Sequence, residues 1–85
     1  MNTLIGLDKL APGERGVIKQ LHTFGGMRRR FLDIGLTQNT VVECVGRSPG
    51  GDPSAYLIRG AVIAIRACDS RNIKVLRYRE GSAWG

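Results

Sequence analysis

The spacing of apolar residues changes period twice in the first half of the chain. Gly16-Val-Ile-Lys-Gln-Leu-His22 alternates as a strand does, with Val17, Lys19 and Leu21 on one face and Ile18, Gln20 and His22 on the other. Neither face is cleanly apolar, so the pattern predicts a strand without deciding which face turns inward. Gly25-Gly26 interrupts it. From Met27 to Ile34 the period is helical: Met27, Phe31 and Ile34 recur at i, i+4 and i+7 with Leu32 beside them, and Arg28, Arg29 and Arg30 take most of the remaining surface. Gly35 follows at once and suits a left-handed helix stop, with Leu36 placed to pack back on the helix. A helix of about two to three turns does not hold alone in water, so its apolar side must dock on another element.

The remainder reads as β. Thr40-Val-Val-Glu-Cys-Val45 predicts a strand, and Arg47-Ser-Pro-Gly-Gly-Asp-Pro53 carries every marker of a loop. Ala55–Arg59 and Ala61–Arg66 predict two strands hinged at Gly60 as a tight hairpin. Cys68–Asn72 turns the chain, at most through a short 3₁₀ piece, into a strand over Ile73–Arg77. Ala11-Pro-Gly-Glu14 is a tight turn, Thr3–Leu10 is too short and mixed to assign, and residues 78–85 read as a tail after a domain spanning 1–77. Five short strands with one helix inserted after the first predict a mainly-β fold, a small and strongly bent barrel whose closure removes exposed edges. The expected core is Leu10, Val17, Leu21, Met27, Phe31, Ile34, Leu36, Val41, Val45, Leu57, Ile63, Ile65, Ile73 and Val75.

Composition narrows the class. Eighty-five residues make one small domain, and 42% hydrophobic with 24% charged residues argues against disorder. The longest apolar run, Ala61–Ile65, is far short of the ~20 residues that cross a bilayer. No basic-then-apolar signal segment opens the sequence, which predicts a cytoplasmic protein. Net charge is +6, and it is concentrated: residues 15–30 hold Arg15, Lys19, Arg28, Arg29 and Arg30 without one acid. Ten of the thirteen basic residues are Arg, the side chain suited to bidentate contact with carboxylate or phosphate. Such a surface points to acidic partners, against the plainer alternative that it only keeps the protein soluble.

The chemistry of catalysis is sparse. There is one His, no Walker loop and no Gly-x-Ser-x-Gly, and no two carboxylates are spaced to meet on one element, so the chain does not read as an enzyme. Asp33 is placed for a surface ion pair with Arg29 or Arg30. Cys44 and Cys68 lie in strand-like apolar runs without a CxxC, which predicts two reduced, buried small side chains and no structural zinc. His22 is the first donor to consider for a weak divalent transition metal, Fe or Zn, as the only imidazole in the chain. One chain supplies too few ligands, so a site of that kind would bridge two copies. The plainer reading is an exposed His at a strand end.

Three stretches resemble a known family. Gly-Met-Arg-Arg-Arg-Phe-Leu-Asp-Ile-Gly-Leu-Thr (26–37) resembles the FeoA hallmark, a short basic helix running into Asp-Met/Ile-Gly-Leu-Thr. Leu7–Gly16 resembles that family's opening, and Gly51-Asp52-Pro53 with Ile58-Arg59-Gly60 and Ile65-Arg66 resembles its second half. The likeness runs over residues 4–77. Position 38 is Gln where Pro is common, and the tail lies beyond the usual domain end. The resemblance implies an SH3-like β-barrel, similar to the C-terminal domain of iron-dependent repressors of the diphtheria-toxin-repressor type. It also implies a small non-enzymatic accessory of ferrous iron uptake acting with FeoB, a membrane permease bearing a GTPase domain.

With that resemblance, the Arg28-Arg29-Arg30 run becomes the leading candidate for a partner surface, with Arg47 and Arg59 adding to it and Phe24 as an apolar contact tip beside Gly25-Gly26. Three consecutive helical residues fan over about 200°, so the three cannot all face one flat partner. A solvated helix face is the plain alternative. The rival class is a basic nucleic-acid-binding SH3-like module, which charge invites and which the lack of a stacking motif or helix-turn-helix opposes. A polyproline groove needs more aromatics than Phe24, Phe31, Tyr56, Tyr78 and Trp84 provide. The sequence leaves a homo-oligomer open.

Overall fold

The structure, a computed structural model, describes residues 3–78. Its order is β1 (Leu4–Gly6), a 3₁₀ turn (Leu7–Lys9), β2 (Arg15–Leu21), α1 (Gly25–Asp33), β3 (Val41–Arg47), β4 (Ser54–Ile58), β5 (Ala61–Ile65), α2 (Ala67–Ser70) and β6 (Ile73–Tyr78). The six strands form one antiparallel sheet in the order β1-β6-β2-β3-β4-β5.

The sheet curls until its distant members meet. Tyr56 on β4 is 1% exposed, and its hydroxyl donates to the carbonyl of Leu7, just after β1, at 3.4 Å. The Arg47 guanidinium at the end of β3 donates to the carbonyl of Leu10 at 2.7 Å. Leu7, Leu10 and Ile18 therefore share one core with Val42, Cys44, Ile58, Ile73 and Val75. A single flat sheet cannot enclose side chains from both of its ends; a curled one can. Two register shifts help it bend, between Ile18 and Gln20 on β2 and between Cys44 and Gly46 on β3.

Three expectations change. There are six strands where five were expected, because Leu4–Gly6 pairs with β6 through Leu4↔Leu76, Ile5↔Val75 and Gly6↔Lys74. On β3 and β4 the inward face is the opposite one: Val42, Cys44, Tyr56 and Ile58 are buried, while Val41, Val45 and Leu57 are exposed. Both faces of these strands carry apolar residues, so alternation could not choose between them, and the curl did. On β2, likewise, Ile18 is buried and Val17 only half-buried. Cys68 is exposed on α2, a one-turn α-helix, whereas Cys44 is buried as expected. The tail lies largely outside the described residues: Tyr78 ends β6, and 79–85 are not described. Among the described residues no helix is long and apolar enough to cross a membrane.

Candidate functional site

α1 begins two residues before the expected Met27, at Gly25, and is weakly equipped at its start. Phe24 sits at the N-cap without a side-chain cap bond, and the first turn holds no acid. What holds the helix is its far end and its underside. Leu36 N–H donates to Phe31 O at 2.9 Å and Gly35 N–H to Leu32 O at 3.1 Å, with Gly35 at φ +104°. This is the Schellman pattern, and Phe31 and Leu36 are both buried behind it. Met27 and Ile34 pack half-buried on the core beside Phe31. The opposite side of α1 is left to arginine.

The structure separates the candidate residues by what their side chains already hold. Arg28 donates to the carbonyl of Leu21 at 3.1 Å and clasps the end of β2. Arg59, at φ +50° in the β4–β5 turn, reaches the hydroxyls of Thr37 and Thr40 at 3.3 and 3.4 Å and lies over Gly35. Arg47 is engaged with Leu10, roughly 20 Å of strand away from the α1 end of β3. Arg29 and Arg30 are exposed and make no hydrogen bond or ion pair among the described residues; Asp33, expected to pair with one of them, does not. Phe24 is 85% exposed. α1 thus carries exposed Phe24 at its N-cap and the unengaged Arg29 and Arg30 on its surface, Arg29 beside Leu32 and Asp33 and Arg30 beside Met27 and Ile34, while Arg47 is held elsewhere.

Two ion pairs lie away from α1. Arg15 pairs with Glu43 at 3.3 Å and Arg77 with Glu14 at 3.5 Å. Beside α1 a groove of about 440 Å³ runs against β5, lined by Met27, Phe31 and Ile34 on one side and Ile63 and Ala64 on the other, with Arg30, Arg66 and Asp69 around it. Sequence reasoning missed Arg66 and Asp69 here. The signal available was the uncharged run Ala61–Ile65 set between Arg59 and Arg66.

Side chains able to ligate a metal do not converge among the described residues. His22 is exposed, with Nε2 2.7 Å from Gln20 Oε1. Asp52 Oδ1 accepts the Ala67 N–H at 2.8 Å, and Glu43 holds Arg15. No three His, Cys, Asp or Glu side chains gather into a ligand set among the described residues. Burial pushes the Tyr56 phenol above the ordinary 10.0.

No curated protein matches the chain in sequence. The solution structure of FeoA from Chlorobium tepidum superposes with a TM-score of 0.83 at 25% identity, covering 95% of this chain and 79% of that one. A zinc-complexed FeoA from Stenotrophomonas maltophilia, described as a prokaryotic SH3 domain protein, gives 0.74 at 21% identity over 91% and 99%. A manganese-dependent transcriptional repressor in complex with manganese gives 0.78 at 18% identity, covering 88% of this chain and 37% of the other. The last two show the shared SH3-like fold. The family model for the FeoA domain matches residues 5–77, nearly the whole of the described sheet and α1, and the chain belongs to the FeoA family.

Proposed function

We propose that this chain is a non-enzymatic regulator of ferrous iron uptake, acting by contact with the cytosolic, GTPase-bearing part of a FeoB-type permease in the cytoplasm. Family membership supports the iron-transport role. The observation that carries the contact is one short helix bearing both an exposed apolar tip and free cations: Phe24 at its N-cap is 85% exposed, and Arg29 and Arg30 are exposed and unpaired among the described residues. Aromatic and arginine side chains are the types over-represented at the hot spots of protein interfaces. Arg28 belongs to the same helix as support, while Arg47 and Arg59 act mainly through the bonds they make within the fold.

The test is capture of the permease's cytosolic domain by this protein, with and without guanine nucleotide, against the Arg29→Glu variant and across a salt series. Charge reversal and added salt should both weaken capture. Binding indifferent to both would sink the reading. A weak Fe(II) or Zn(II) site at His22, shared between two copies, is part of the same proposal and is tested separately below.

A further inference from the structure

We propose that the groove between α1 and the outer edge of β5 takes up an extended acidic peptide segment as an added β-strand. β5 pairs only with β4 among the described residues and ends the sheet. The turn that joins them has Arg59 at φ +50° and Gly60 at φ +85°, the two-residue hairpin geometry that makes Ile58 and Ala61 a mutually hydrogen-bonded pair. Such pairs alternate along an antiparallel ladder, so Tyr56–Ile63 and Ser54–Ile65 bond in the same way. The N–H and C=O groups of Val62 and Ala64 then point away from β4. No backbone bond outside the ladder engages either residue among the described residues.

Natural sheets protect such edges with charge, proline or cover. Ala61–Ile65 has no charge and no proline, and Val62 is 63% exposed. The groove beside it, about 440 Å³, lies within the ~300–1,000 Å³ usual for ligand clefts. Met27, Phe31 and Ile34 supply an apolar wall for alternate side chains of an incoming strand. Arg30 and Arg66 line it against the single carboxylate of Asp69, and neither arginine has an ion-pair partner among the described residues. The free edge sets register, the wall accepts apolar side chains, and the guanidiniums select carboxylates. The occupant is therefore an extended segment of a partner protein in which apolar and acidic residues alternate. The inference rests on the proposed function only for the source of that segment.

The probe is a fluorescein-labelled peptide, Glu-Val-Asp-Val-Glu-Val-Asp, titrated by polarisation and followed by amide hydrogen exchange, with no permease present. Saturation should slow exchange at Val62 and Ala64 by at least about tenfold. The Arg30→Glu/Arg66→Glu double variant should bind at least about tenfold more weakly, and so should the fully N-methylated peptide, which keeps the charges but cannot join a ladder. Absence of binding, or equal binding of the methylated peptide, overturns the proposal. So does protection of Val62 and Ala64 that rises with protein concentration alone, which would assign the edge to a second copy. Failure here leaves capture of the permease domain through Arg29 untouched, and the reverse holds.

Discussion

The side chain of Arg59 lies directly over the α-carbon of Gly35: a Cβ built on that glycine would stand 2.7 Å from Arg59 Cδ. The contact joins the stop of α1 to the β4–β5 turn, two segments far apart in the chain. Gly35 also holds φ +104°, which L side chains rarely adopt. Gly35→Ala should cost about 1–2 kcal/mol of stability, read as a lowered urea midpoint at unchanged m-value. Adding Arg59→Ala should recover only the steric part, because the strained backbone remains.

Arg28 and Arg29 are neighbours with different duties. Arg28→Ala removes the bond to Leu21 O and should destabilise by about 0.5–1 kcal/mol, a figure kept low by its exposure. Arg29→Glu should leave stability within about 0.5 kcal/mol while weakening capture of the permease domain. If Arg29→Glu unfolds the protein as readily as it disrupts capture, the division of labour on α1 is wrong.

Phe24 has little packing to lose at 85% exposure. Phe24→Ala should keep the thermal midpoint and lower partner affinity by about tenfold or more if the ring is an anchor. Isothermal titration against the same cytosolic domain reads both the affinity and, through its heat-capacity change, the lost apolar burial.

Tyr56 gives the fold a pH dependence. Its phenol is buried, which favours the neutral form and raises the folded pKa above 10.0. Stability from this group is whole below the unfolded pKa and is lost as pH rises through the folded one. Denaturation midpoints should therefore fall more steeply above about pH 10 in the wild type than in Tyr56→Phe, and coincide near neutrality apart from the hydroxyl's bond to Leu7. Parallel profiles would show that Tyr56 does not titrate in the folded state.

For metal, His22 is the group to remove. Its ring is exposed and hydrogen-bonded only to Gln20 among the described residues, so a metal shared between copies should appear as Zn(II)-dependent association in sedimentation. His22→Ala should abolish that association. Unchanged metal binding in calorimetry would exclude His22 as a ligand.

Local residues alone show where the chain turns and where α1 stops. Gly35 ends α1 because only a glycine accepts the backbone there without cost, Gly60 closes a hairpin for the same reason, and the 26–37 stretch carries the family likeness on local residues. Those signals are local, so one-dimensional reading finds them. Which faces turn inward and which arginines are free depends instead on long-range packing. Val41, Val42, Cys44 and Val45 are all apolar; Cys44 faces inward opposite Tyr56 of β4, while Val45, without a partner between Cys44 and Gly46, is exposed. Leu4–Gly6 is a strand only because β6 lies beside it. In the basic run, Arg28 finds the Leu21 carbonyl and its neighbours do not, a distinction made by the end of β2 and invisible in three identical letters. The +6 charge is thus a property of the sequence, and the placement of Arg30 and Arg66 beside a sheet edge unpaired among the described residues is a property of the fold.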